Sequence, residues 1–241
     1  MTWLKNLYRL TLLIQDMQSA NREKGKLHRR MNKMMNNEVD FTSFQEHVSS
    51  RMLKKMQWYM VEMVWMSLKF ARLHDAKLDA KSQKSAAFAG ALLGISDILV
   101  DDMGIDDITS VSSFLLNPSE QLAHTPLEKL YLAFFNTFEA NLPSGNQSLM
   151  LDYYWKTLEA QFASRQQFEP DLPQLQLIKI LKDKCGFTTL LCRAAVDKPL
   201  MQEEENTLYE LGGLVQFIND INDLHKDSKQ GIRNFSNGYS S

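Results

Sequence analysis

Three aspartates, Asp220, Asp223 and Asp227, recur at steps of three, four and seven residues in a segment otherwise dominated by Leu211, Leu214, Val215, Phe217, Ile218 and Ile221. On a helix those steps bring carboxylates onto one surface, where like charges repel unless a cation stands between them. A second acidic group, Asp97, Asp101, Asp102, Asp106 and Asp107, lies upstream. Asp97, Asp101 and Asp102 sit near the expected C-terminal end of a helix before Gly104, and the downstream three near another before Gly231, where the macrodipole disfavours anions. Helix stability therefore does not account for them. Carboxylates without histidine or cysteine partners are hard oxygen ligands suited to magnesium, which is commonly held between a few carboxylates and substrate phosphates. The spacing thus points to a magnesium and diphosphate site. Since clustered carboxylates repel when no metal is bound, Asp220→Ala and Asp223→Ala are expected to leave the fold intact or more stable.

The elements that must position these residues read as helices. All six prolines lie at Pro118 or later, so the first hundred residues hold little to break a helix. Apolar residues recur at steps of three and four through Met52, Met56, Met60, Met63, Val64 and Leu68, and again through Leu127, Leu130, Tyr131, Phe134 and Phe138. Helices are predicted over 2–35, 43–76, 82–103, 126–142, 146–168, 173–196 with a break near Gly186, and 202–228. The last is apolar over much of its circumference, which predicts a buried helix. No strand alternation and no repeat are visible. One all-α domain over 1–233 is expected, with a mobile polar tail over 234–241.

The C-terminal segment Leu211, Gly212, Gln216, Asn219, Asp220, Asp223, Lys226 and Asp227 resembles the second aspartate-rich helix of class I isoprenoid synthases. Polyprenyl diphosphate synthases carry L-G-x-x-F-Q-x-x-D-D-x-x-D there, and Asn219 takes the place of the first Asp. The squalene and phytoene synthase branch carries L-G-x-x-L-Q-x-x-N-x-x-x-D-x-x-E-D, met at Gln216, Asn219, Asp223 and Asp227, with Lys226 for the Glu. Terpene cyclases carry N-D-x-x-S-x-x-x-E, which Asn219, Asp220, Asp223 and Asp227 also resemble. Upstream, Asp97 and Asp101 match the D-x-x-x-D of the squalene branch, while Asp101, Asp102 and Asp106 or Asp107 resemble a stretched D-D-x-x-D. Lys184 and Cys185 are similar to the K-T of the polyprenyl synthases' K-T-G segment.

This resemblance implies a helical bundle of the isoprenoid synthase type, with the two aspartate helices facing each other across a deep apolar pocket. It implies magnesium held by Asp97, Asp101, Asp102, Asn219, Asp220, Asp223 and Asp227, and a prenyl diphosphate substrate. Lys184, Arg193, Gln216, Asn219, Lys226 and Arg233 would help to hold the leaving group. Elongating synthases carry paired arginines after the first motif and a G-K-x-x-R-P segment before it. Here Ile108 and Thr109 follow Asp107, and Gly25 to Arg30 lacks the proline. Cyclisation or head-to-head coupling is therefore expected, with trans-prenyl transfer as the alternative. A binding protein on a degenerate synthase fold is the non-catalytic alternative.

Composition narrows the field further. With 27 Lys+Arg against 29 Asp+Glu the net charge is -2, and no basic run tracks a nucleic-acid backbone, so nucleic acid is not the expected partner. Neither G-x-S-x-G, H-E-x-x-H nor a phosphate loop occurs. Cys185 and Cys192 are two turns apart on one helix, too far to bridge, and read as reduced core residues. Glu203, Glu204 and Glu205 open a helix, where the dipole accounts for them. The many aromatics and thirteen methionines read as core filling. Arg9 and Asp16 interrupt any signal-peptide core, and no run of about 20 apolar residues occurs, which predicts a cytoplasmic protein without a transmembrane segment. Peripheral membrane contact through the amphipathic N-terminus, and a homodimer, remain open.

Overall fold

The computed structural model describes residues 2–39, 44, 46–102, 108–169 and 171–235, with 2–18, 101–102, 108–111, 226–227 and 230 described in backbone only. Among these residues every regular element is helical. They are α1 (Thr2–Glu38), α2 (Ser50–Leu73), α3 (Ala80–Asp102), α4 (Ile108–Leu116), α5 (Pro126–Ala140), α6 (Gln147–Ala163) with a 3-10 turn (Ser164–Phe168), α7 (Gln174–Ala194) and α8 (Gln202–Gln230).

The methionine pattern of α2 becomes its inner face, with Met52, Met56, Met60, Met63 and Val64 all buried. Ser49 fixes the start of that helix, its side chain accepting a hydrogen bond from the Met52 N–H at 3.1 Å. Against α2 lies α3, the central helix, whose residues 85–98 are buried without interruption. Small residues permit this, because a Cβ on Gly90 would stand 2.5 Å from the Tyr59 carbonyl oxygen. The two backbones therefore touch, and the register of α2 on α3 is fixed at that point. α1 lies along α2, burying Leu27, Met31 and Met35. Lys24–Glu62 and Lys69–Glu23 ion pairs bracket the Trp65 ring there.

On the other side of α3, α5 and α6 supply an aromatic core. Phe88 meets Phe134 edge-on at 5.2 Å, Phe138 lies 5.0 Å from Tyr154, and the Tyr131 and Tyr154 hydroxyls share a hydrogen bond. All five rings are fully buried. They read from sequence as core, and they fill the space between α3, α5 and α6.

Helix α7 packs on α6 and α8. The break expected near Gly186 does not occur: α7 runs straight through it. That glycine instead makes room, since a Cβ there would meet the Tyr209 ring of α8 at 2.5 Å. The expectation that α8 is a buried helix is also corrected. Its main neighbour is α7, and the opposite side leaves Leu214, Phe217, Ile218 and Ile221 at 54, 42, 50 and 51% exposure. Helix α4 was not foreseen; nine residues with two threonine or valine positions and three serines give too short and weak a pattern.

After α8 the chain turns at Gly231, which adopts φ +69°, and returns along the 3-10 turn. The Arg233 N–H donates to the Gln167 carbonyl at 3.0 Å, and Gln167 Nε2 donates back to the Arg233 carbonyl at 2.6 Å. Asn234 is fully buried. Residues 234 and 235, expected in the mobile tail, thus belong to the helical body, and 236–241 lie outside the described residues. No helix among the described residues is long and apolar enough to cross a membrane.

Candidate functional site

A polar thread runs through the otherwise apolar bundle from α2 to the end of the described chain. It begins at Asp97 on α3, only 6% exposed. Lys55 of α2 forms an ion pair with its Oδ2, Lys184 Nζ of α7 stands 3.3 Å from its Oδ1, and the Tyr59 hydroxyl donates to Oδ2 at 3.4 Å. Burial alone would raise the Asp97 carboxyl, but the ammonium groups of Lys184 and Lys55 outweigh it and hold the group below the ordinary carboxylate range. It is therefore a carboxylate with two cationic partners.

The thread continues through the residue beside Lys184. Burial pushes the Cys185 thiol up to about 11, with Lys184 opposing the rise and the charges of Asp220 and Asp97 adding to it. A neutral thiol results, donating to Gln216 Oε1 of α8 at 2.9 Å. Gln216 Nε2 in turn donates to Asp220 Oδ1 at 2.6 Å, and the backbone N–H of Phe235 donates to Asp220 Oδ2 at 2.9 Å. The adjacent pair Lys184 and Cys185 on α7 thereby joins Asp97 on α3 to Asp220 on α8. Close helix contact makes this reach short, because a Cβ on Gly212 would lie 2.6 Å from the Cα of Gly186.

Four residues selected from the sequence, Asp97, Lys184, Gln216 and Asp220, are thus brought into one network. Asn219 and Asp223 are exposed on α8 beside it. Asp101 and Asp102 close α3, and Lys226 and Asp227 lie in the last turns of α8, but their side chains are outside the described residues, as are Asp106 and Asp107 altogether. Arg233 turns its guanidinium onto the Glu169 and Leu172 carbonyls at 3.2 and 2.8 Å, anchoring the non-helical return that carries Phe235.

Arg193 is placed elsewhere. It lies nine residues beyond Lys184, roughly 13 Å further along α7. Its side chain is wholly buried and donates to Glu204 at 2.6 Å, to His74 at 3.1 Å and to the Pro199 carbonyl at 2.8 Å. There it forms a clamp joining the C-terminal ends of α2 and α7 to the first turn of α8, apart from the thread between Asp97 and Asp220.

Lys55, Tyr59 and Cys185's hydrogen bond were missed from the sequence. Lys55 and Tyr59 interrupt a methionine-rich face at i, i+4 spacing, and only the α2–α3 register reveals that they meet Asp97. In kind, the carboxylate and amide donors of α3 and α8 fit magnesium. Among the described residues no three His, Cys, Asp or Glu side chains are gathered where they could hold a metal ion. No protein-family model, no curated protein and no solved structure matches the chain.

Proposed function

We propose that the protein is a magnesium-dependent class I isoprenoid or terpene synthase that ionises an allylic prenyl diphosphate, by cyclisation or head-to-head chemistry. One observation carries the reading: the three segments that resemble synthase motifs, around Asp97, Lys184 and Asp220, converge on one polar thread through α3, α7 and α8. Asp97, Asp101, Asp102, Asn219, Asp220, Asp223 and Asp227 are assigned to hold magnesium, which when bound supplies Lewis-acid charge to the diphosphate oxygens.

The chain's own residues supply the rest. Lys184, held by Asp97, donates a charge-assisted hydrogen bond to the departing diphosphate. Lys226 and Arg233 lie at the end of α8 and its return, where they add positive charge. Gln216 fixes one oxygen of Asp220 and leaves the carboxylate oriented rather than rotating. The carbon–oxygen bond breaks heterolytically, its electron pair leaving with the diphosphate, and the allylic cation then rearranges or couples away from water.

The test is incubation with magnesium and allylic diphosphates of ten, fifteen or twenty carbons, following pyrophosphate release and products by mass spectrometry. Release without isopentenyl diphosphate supports the reading. A ladder growing by five-carbon units only when isopentenyl diphosphate is added establishes trans-prenyl transfer instead. A second reading, a helical protein that binds its ligand without turnover, draws on the filled aromatic interior and on Asp97 already carrying two cations. No release from any of these substrates would favour it.

A further inference from the structure

Leu211, Leu214, Ile218 and Ile221 follow one another along α8 at steps of three and four, with Val215 and Phe217 beside them, and all six are 42–54% exposed. That spacing, filled by leucine and isoleucine, is the seam by which one helix receives another. By helical periodicity it lies away from the side on which Leu208, Gly212 and Asp220 are buried. It leaves on the order of 500 Å² of apolar surface in water, the size of the largest and often functional patch on a monomeric protein.

The returning chain covers one margin only: Phe235 meets Phe217 edge-on at 5.8 Å, and the residues after it are polar apart from Tyr239. The start of the chain leaves from the other end of the bundle. Glu23 of α1 pairs with Lys69 near the C-terminal end of α2, so α1 before it continues past that end. The seam instead begins where Gly212 packs on Cys185, beside Lys184 and Asp97 and hence Lys55 at the N-terminal end of α2. Charge then selects the occupant. Glu203, Glu204 and Glu205 open α8 and Lys229 closes it. Two α8 helices set antiparallel bring acidic ends to basic ends and opposed dipoles together, whereas a parallel pair sets like against like. We propose that the protein pairs with a second copy of itself through α8, antiparallel and face to face about a two-fold axis near Ile218. The two faces together remove ~1,000 Å² from water, the least that a specific interface buries, so the dimer is reversible rather than obligate. Asp220 and Asp223 lie off the seam and stay uncovered, so the pairing stands whether or not the synthase reading does.

The full chain is followed by sedimentation velocity over a wide range of concentration under reducing conditions. An equilibrium between monomer and dimer that stops at two is expected, because a face that pairs with itself closes the assembly. Leu214→Glu combined with Ile218→Lys places charges in the seam while giving the helix a supporting i, i+4 pair, and should weaken association at least tenfold. These side chains bury little within one chain, so the protomer should stay folded, which its melting temperature at low concentration checks. Cysteine cross-linking reads the direction, with the wild-type chain as control. Ile218→Cys, near the axis, should oxidise to a disulfide-linked dimer. Leu211→Cys, about 15 Å from its counterpart in an antiparallel pair, should not. A chain that stays monomeric, growth beyond a dimer, or undiminished association by the folded double variant overturns the proposal. So does cross-linking through Leu211→Cys as readily as through Ile218→Cys, which would mean a parallel pair.

Discussion

Lys184 Nζ on α7 stands 3.3 Å from Asp97 Oδ1 on α3, a contact across 87 residues of chain. With Lys55 on the other carboxylate oxygen, it makes Asp97 the point at which α2, α3 and α7 are held in common. Breaking a buried pair costs more than forming it gains, because the surviving partners are left desolvated.

Asp97→Asn therefore tests this junction with little change in volume. Two lysines would face an uncharged amide, and a loss of about 2 kcal/mol at neutral pH is expected. The sign of the pH dependence follows from the depressed carboxyl. Its contribution is complete above the ordinary aspartate value of about 4 and is lost as pH falls below it toward the folded-state value. Urea unfolding of both proteins from pH 7 to pH 3 should show the gap closing. A gap constant with pH would mean that the carboxylate is not paired.

Arg193 makes a stronger demand, since its side chain has no exposure and its principal counter-charge is Glu204. Burial raises the Glu204 carboxyl, but hydrogen bonds from Arg193 and His74 outweigh this and hold it below the usual range. Glu204→Ala should cost about 3–5 kcal/mol. Arg193→Met combined with Glu204→Leu should cost much less than the sum of the single changes, since the charge and its partner leave together. A double-mutant cycle by chemical denaturation measures this, and additive costs would dismiss the clamp.

At the α7–α8 crossing, Gly212→Ala should destabilise despite alanine's better helix propensity. The added methyl must displace Gly186 and the Cys185 carbonyl, both backbone, and overpacking of this kind costs about 1–3 kcal/mol. Gly25→Ala, where nothing lies within 4 Å, should instead be neutral or stabilising. Equal melting shifts for the two would argue against the close crossing.

What the sequence conveyed and what it withheld divide along the same physical line. Periodicity is a local property, so α2, α5, α6 and α8 were legible from Met52 to Leu68, Leu127 to Phe138 and their like. The aspartate spacing on α8 was legible for the same reason. Lys55 meeting Asp97 depends on two backbones touching at Gly90, which no spacing within α2 encodes. Arg193 looks like an ordinary cation closing a helix until Glu204 and His74 arrive from other elements. The apolar character of α8 was read correctly as composition, but not its exposure, because periodicity does not say whether a face has a neighbour.

That exposure gives its own prediction. Leu214 and Ile218 are about half exposed, so replacing each by serine removes little buried surface, and a cost below about 1 kcal/mol is expected. Met56→Ala on α2, fully buried, should by contrast cost about 2–5 kcal/mol. Thermal melts decide it, and a large loss from Leu214→Ser would mean that this face of α8 is covered in the folded protein.

The two central aspartates of α8 should separate structure from chemistry. From sequence, repulsion within the cluster predicted that losing either would leave the fold unharmed. The structure divides them: Asp220 is buried and accepts from Gln216 and from the Phe235 N–H, whereas Asp223 is exposed. Asp220→Ala leaves those two donors without their acceptor and should cost about 1–3 kcal/mol. Asp223→Ala should melt within a degree or two of wild type, as an exposed change normally does. In the synthase reading both are magnesium ligands, so magnesium with pyrophosphate should raise the wild-type melting temperature by mass action and raise that of either variant far less. Melts with magnesium alone, pyrophosphate alone and both together distinguish the cases. A full ligand-induced rise in Asp223→Ala would remove that residue from the metal site, and its absence in wild type would remove the site itself.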